Sequence, residues 1–203
     1  EHELLSKPES KGFFCVSTSY RQEPNAIPGR HDIIFPMFEF EFPGTIEDLR
    51  EMEIELCDHL GFDPLTQKTY AEWQKYYEID GELEAKHEND MFEKFNSCAI
   101  TDFPEFTSPF WNMSRSEDGT SKKIDVILGG METIGSAERS TDIDQMRDTF
   151  HTITDGAYSK LLFDLFGKER VEAELEEFLK FDFFPRVGGG IGMTRMIAAL
   201  DKK

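Results

Sequence analysis

Four of the five residues in Gly188-Gly189-Gly190-Ile191-Gly192 are glycines, and the run passes through Met193-Thr194-Arg195 into the apolar Met196-Ile197-Ala198-Ala199-Leu200 near the end of the chain. Without side chains, such a backbone can lie close against a ligand or a neighbouring segment, or turn through positive φ. A helix opening directly behind it offers unpaired N–H groups and the positive end of its dipole to an anion. Arg195, in the first turn of that helix, adds a planar guanidinium fork suited to phosphate oxygens. The run has neither the βαβ setting and G-x-G-x-x-G spacing of a dinucleotide site nor the G-K-[ST] ending of a P-loop. It reads as a phosphate site of another kind, completed by a second segment.

That segment lies near the N-terminus. Two β-rich runs, from Phe13 and up to Phe42, flank a loop of Pro, Asn and Gly between Pro24 and Gly29, the pattern of an antiparallel hairpin with a long connection. In the second run Phe38, Phe40 and Phe42 alternate with Glu39 and Glu41, giving one apolar and one acidic face. The acidic face is compatible with a plain solvated strand. The hairpin also carries Arg21, Arg30 and His31, in a chain whose 41 Asp and Glu outnumber its 22 Lys and Arg. A polyphosphate needs such donors.

Tyr20-Arg21-Gln22-Glu23, the Arg30-His31 pair and Phe35 to Glu41 resemble motif 2 of the class II aminoacyl-tRNA synthetases. Gly188 to Arg195 resembles their motif 3, G-x-x-x-G-x-x-R. Asp125 to Arg139, with Gly129, Glu132 and Gly135 between, resembles a strand pair of the aspartyl and asparaginyl members. His87-Glu88 to Phe95, Cys98 to Pro104 and Phe110-Trp111-Asn112-Met113 resemble a stretch of the asparaginyl type. Arg139, absent from the lysyl members, points to aspartate or asparagine.

The resemblance implies roles residue by residue. Arg21 would hold the α-phosphate of ATP and the amino acid carboxylate, Glu23 would accept from the adenine amino group, and Phe35 would lie under the purine. Arg30 and His31 would reach the β- and γ-phosphates. Arg195, with Gly192 before it, would close on the adenine's other face and the γ-phosphate. Asp125 and Glu132 would hold Mg²⁺. Arg139 would receive the substrate side chain, with Glu39 and Gly135 shaping that site. The implied activity is activation of aspartate or asparagine to an aminoacyl-adenylate, then transfer to tRNA. Two alternatives stand beside it: an amide ligase that uses ammonia, and a silent relative acting as a binding or regulatory domain. In-line attack of a carboxylate on phosphorus brings two anions together, so arginines and Mg²⁺ suit it and no nucleophilic side chain is needed. From the residues alone, Asp125 and Glu132 could instead be a solvated pair at a hairpin. Arg139 could pair with Glu138 or Asp142, and Phe35 could be core.

A formal charge of −19 opposes a broad basic surface for nucleic acid. The 3 cysteines, Cys15, Cys57 and Cys98, form no disulfide framework or zinc pattern. No apolar run approaches the roughly 18 residues of a membrane span. A reduced, cytoplasmic protein is expected. The element pattern predicts an α+β fold, an antiparallel sheet flanked by helices, as a single domain over 1–203. The anticodon-binding domain and motif 1, through which the family forms homodimers, are not found. The spacing predicts a hairpin over 12–42 and a helix over 45–60 with a capping box at Thr45 and Asp48. It predicts helix over 70–97 broken at Asp80-Gly81, then strands at 97–101, 109–114, 122–128 and 131–138. Helices over 142–166 and 168–180 precede the glycine-rich strand end and a last helix.

Overall fold

The structure, a computed structural model, describes residues 1–21, 27, 30 and 32–203. The β-rich runs at the N-terminus form strands β1 (Phe13–Tyr20) and β2 (Ile34–Pro43), paired antiparallel with Val16 opposite Phe38 and Tyr20 opposite Ile34. The glycine run is strand β7 (Arg186–Gly192). It inserts between β2 and β6 (Met131–Arg139), so segments from both ends of the chain meet in mid-sheet. Next to β6 come β5 (Ser121–Leu128), β4 (Ser97–Phe103) and β3 (Thr66–Thr69), giving a 7-stranded sheet of order β1-β2-β7-β6-β5-β4-β3. Among the described residues only β3 against β4 is parallel.

One face of the sheet packs under helix α2 (Ile46–His59) and the last helix, α8 (Met193–Leu200), with Ile124, Val126, Ile134, Val187 and Ile191 at its centre and Phe38, Phe40 and Phe42 beside them. Asp48 caps α2 as the sequence predicts. Its carboxylate accepts from the Thr45 N–H at 2.7 Å and hydroxyl at 3.0 Å, and Gly61, at φ +75°, follows the helix end. Ala99 points into this core while Cys98 and Ile100 point into a second one, so the two lie on opposite faces. The second core sits under α3 (Tyr70–Tyr77) and α4 (Ala85–Phe95), with Trp73 and Met91 fully buried. Short α1 (His2–Ser6) comes before the sheet. Helices α5 (Ile143–Thr152), α6 (Ala157–Phe166) and α7 (Lys168–Phe178) form a third cluster around Met146, Phe150 and Leu175. No described helix is long and apolar enough to cross a membrane.

The structure departs from the sequence reading in particular places. Residues 109–114 form no strand. Pro109 lacks the N–H a ladder needs; a 3₁₀ turn, Glu105–Thr107, comes before the segment, and only isolated bridges, from Met113 to Arg139 and from Arg115 to Ser121, lie in or next to it among the described residues. The helix over 142–166 is broken by a 3₁₀ turn, Ile153–Gly156, in which Thr154 and Asp155 both take φ of 53°. The break expected at Asp80-Gly81 begins earlier, where Glu78 ends α3 at φ 54°. None of Gly188, Gly189, Gly190 or Gly192 has positive φ, so these glycines serve close approach and not a turn.

Gly189 shows what close approach means. A Cβ there would lie 2.6 Å from the Ser136 Cβ and 2.7 Å from the Gly135 carbonyl oxygen. Ser136 uses that room to donate to Glu53, a carboxyl of α2 buried to 1% exposure, at 2.6 Å. Burial pushes the Glu53 pKa up to about 8.

Gly189→Ala should therefore cost about 1–3 kcal/mol of stability by overpacking. Gly81→Ala, with nothing within 4 Å of the added carbon, should stay within about 0.5 kcal/mol in chemical denaturation. Equal costs at the two positions would contradict the packing. Folded Glu53 keeps its proton where the unfolded chain, at an ordinary 4.5, has lost it. Its contribution is thus full below the ordinary carboxylate range and is lost as pH rises to about 8. Relative to Glu53→Gln, the wild type should lose stability by up to about 1.4 kcal/mol per pH unit over that window. A flat or rising difference would show that Glu53 ionises in place.

Candidate functional site

Beyond the cover of α3 and α4, a cavity of about 280 Å³ opens between β2, β7 and β6, lined by Arg21, Arg30, Phe35, Glu132, Gly135, Gly192 and Arg195. Arg21 leaves the end of β1. Its N–H donates to the Ile33 carbonyl at 2.8 Å, and its guanidinium centre lies 5.2 Å from the Phe35 ring centroid, in cation–π range. Arg195 stands in the first turn of α8, directly after Gly192. Its Nη1 donates to the Glu132 carbonyl at 2.6 Å and its Nη2 to the Arg30 carbonyl at 3.4 Å. Arg30 donates through Nη1 to the Gly130 carbonyl at 3.0 Å and through Nη2 to Glu88. The hairpin and the last helix, which come from opposite ends of the chain, thus meet on the β5–β6 turn. Glu23 and His31 lie outside the described residues.

The two candidate metal carboxylates meet because of a β-bulge. Gly135 pairs with Asp125 and Ile134 with Val126, but the next pair is Glu132 with Ile127, which leaves Thr133 as the extra residue. Strict alternation would send Glu132 to the face opposite Gly135; the bulge returns it. A Cβ on Gly135 would lie 2.6 Å from Glu132 Oε1 and 3.6 Å from Asp125 Oδ1, so both carboxylates occupy the space above that glycine. Asp125 is buried. Lys123 Nζ donates to its Oδ2 at 2.5 Å, and Oδ1 has no hydrogen-bond partner. Burial first, and then the Glu132 charge, raise the Asp125 pKa well above the usual carboxylate range. An orphaned carboxylate oxygen beside a second carboxylate is a donor set for a hard divalent cation. Mg²⁺ takes one or two carboxylates and completes its shell with phosphate oxygens and water. Among the described residues no three His, Cys, Asp or Glu converge into a cage.

A second, shallower pocket continues the first along the same strands. Met37 and Gly190 line the first, and Glu39, Glu41, Arg139 and Gly189 line the second. Arg139 pairs with neither Glu138 nor Asp142. Glu138 accepts from Lys122 and from the Ile46 N–H, and Asp142 caps α5. The Arg139 partner is the buried Glu41, gripped by Nε at 3.2 Å and Nη2 at 3.3 Å. Glu39 is exposed and accepts from Ser17 Oγ at 2.6 Å. Glu41, Glu88 and Lys123 are residues of this region to which sequence reasoning assigned no role. Signals for two of them were present: Glu41 shares the acidic face with Glu39, and Lys123 stands two residues before Asp125 on one strand face.

Residues 10–203 match the family model of the class II tRNA synthetases (D, K and N). Solved structures of like fold include the asparaginyl-tRNA synthetase from Pyrococcus horikoshii complexed with asparaginyl-adenylate, 18% identical at a TM-score of 0.75 over 98% of this chain and 52% of that one. The asparaginyl-tRNA synthetase from Entamoeba histolytica in complex with asparaginyl-adenylate is 19% identical at 0.75 over 98% and 52%. The aspartyl tRNA synthetase from Entamoeba histolytica is 17% identical at 0.74 over 98% and 47%. At such identities the likeness is one of fold, and this chain spans about half the length of those proteins. Comparison with curated proteins gives no match.

Proposed function

The chain belongs to the class II tRNA synthetases of the D, K and N group, and on that premise we propose that it activates an amino acid of the aspartate or asparagine type with ATP. The products are the aminoacyl-adenylate and pyrophosphate. The observation that carries this is the convergence of Arg21, Arg30 and Arg195 on one cavity with Glu132, and with Asp125 beside Glu132 above Gly135. In the reaction the amino acid carboxylate attacks the α-phosphorus in line. The bond formed is from a carboxylate oxygen to the α-phosphorus, the bond from that phosphorus to the α,β-bridging oxygen breaks, and its electron pair leaves with pyrophosphate. Arg21 would hold the α-phosphate and the attacking carboxylate, while Arg30 and Arg195 would neutralise charge on the outer phosphates. Fixed guanidinium groups favour a transition state in which that charge grows. Mg²⁺ held by Asp125 and Glu132 would supply further neutralisation of the phosphates. Phe35, Glu23 and His31 would take the roles implied for adenine and phosphate.

Arg139 and Glu41 favour asparagine over aspartate. With Glu41 already neutralising the guanidinium, a primary amide can accept from Arg139 and donate to Glu41. A β-carboxylate would be a second buried anion beside Glu41. The same polarity disfavours the ammonia-dependent alternative, which must first activate aspartate. Transfer to tRNA is the second step of the family and is proposed here as the fate of the adenylate, in the cytoplasm where its substrates are found.

Amino acid-dependent ATP–pyrophosphate exchange tests this directly. Asparagine should support exchange with kcat/KM at least about tenfold above aspartate, a difference of about 1.4 kcal/mol. Arg195→Ala should reduce exchange by about a hundredfold or more. Exchange with aspartate alone would reverse the amide assignment. ATP binding with no exchange for any amino acid would favour the silent relative.

A further inference from the structure

We propose that Glu88 is a positioning residue that sets the affinity of the site for the outer phosphates of its nucleotide by holding Arg30. This rests on the ATP reading above and goes beyond it. The His87-Glu88 pair is a sequence feature to which neither the resemblance nor the reaction assigns work.

His87 accounts for the aim of its neighbour. Its ring is buried, its Nδ1 accepts the Glu84 N–H at 2.8 Å, and its ring centroid lies 4.8 Å from that of Tyr77, whose hydroxyl donates to the His87 carbonyl at 3.1 Å. The first turn of α4 is thereby fixed, and the next side chain, Glu88, reaches across to the hairpin. Its carboxylate accepts from Arg30 Nη2 and from the Glu132 N–H at 3.4 Å, tying the arginine to the strand that carries a candidate metal ligand. Arg30 is also held through the Gly130 carbonyl. Both partners are mostly covered, at 15% exposure for the Arg30 side chain and 20% for Glu88.

The side from which Glu88 approaches decides between support and competition. Arg30, Glu132 and Arg195 line both the nucleotide cavity and an adjoining one of about 460 Å³, and Glu88 lines the adjoining one. The carboxylate meets the guanidinium from the adjoining cavity, and Arg30 still borders the nucleotide cavity. An arginine fixed in advance loses less rotamer freedom when the phosphate arrives, so binding is tighter than with a loose one.

Binding of ATP and of AMP, which lacks the outer phosphates, should be measured by calorimetry for the wild type, Glu88→Ala, Glu88→Gln and Glu88→Asp, with thermal melts to confirm folding. Glu88→Ala should weaken ATP about tenfold and leave AMP within about twofold. In exchange assays it should raise the KM for ATP more than it lowers kcat. Glu88→Gln keeps an acceptor oxygen and should recover most of the loss. Should Glu88→Ala fail to fold, Glu88→Asp carries the test, since its shorter side chain keeps the charge and loses reach: weaker ATP binding with unchanged AMP supports the proposal. ATP affinity that is unchanged or tighter in the folded variants, or ATP and AMP weakened alike, overturns it while the synthetase reading stands. A wild type that binds no ATP overturns both.

Discussion

A Cβ on Gly188 would fall 1.7 Å from a Glu41 carboxylate oxygen, and one on Gly190 would meet the Met37 methyl at 2.5 Å. Strand β7 can therefore lie between β2 and β6 only because it carries no side chains there. The bare strand gives the site its floor. On one side it lets Glu41 lean over to grip Arg139, and on the other it leaves Ser136 the room to bond Glu53. It also ends where α8 begins, so the placement of Arg195 follows from the same run of residues.

Each cationic group of the site that has a described ion-pair partner is held by a carboxylate distant in sequence or fixed by the sheet: Arg139 by Glu41, Arg30 by Glu88, Lys123 by Asp125. Such pairing in a covered place adds little net stability, because desolvation offsets much of the attraction. Its effect is geometric. Guanidinium groups fixed before a ligand enters need not reorganise when negative charge develops beside them, and that is how fixed dipoles and charges lower a barrier.

Local signals were the legible ones. The hairpin follows from period-two alternation in Phe38 to Phe42, α2 from the Thr45 and Asp48 capping box and Gly61, and the β5–β6 pair from Gly129-Gly130 between apolar runs. The elements missed lack such signals. Strand β3 is Thr66-Gln67-Lys68-Thr69, with no apolar residue to alternate, and exists because it adds to the edge of β4. In the site, the grouping of the arginines was readable from the hairpin, the glycine run and their resemblance to motifs 2 and 3, but the partners were not. Glu41 and Arg139 are joined only through β7, and no periodicity announces that one residue, Thr133, will be left over in a ladder. Pairing across a sheet is a tertiary choice, and the sequence shows it only as two separate strands.

Register binds these features together. Gly190 lies opposite both Glu39 and Gly135, and Gly188 opposite both Glu41 and Ala137, so the arginine-lined cavity and the pocket beside Arg139 share one strip of backbone. A slip of β7 by one residue would turn Val187 and Ile191 out of the core and onto this floor, filling both spaces and stripping the helices α2 and α8 of their contacts. The opposing cost is large: Val187 is fully buried and Ile191 is 8% exposed, and exposing two such side chains costs about 1.5–3 kcal/mol each. The hydrophobic face of the sheet, acting through two side chains on the side away from the cavity, is what keeps Gly190 and Gly192 facing it.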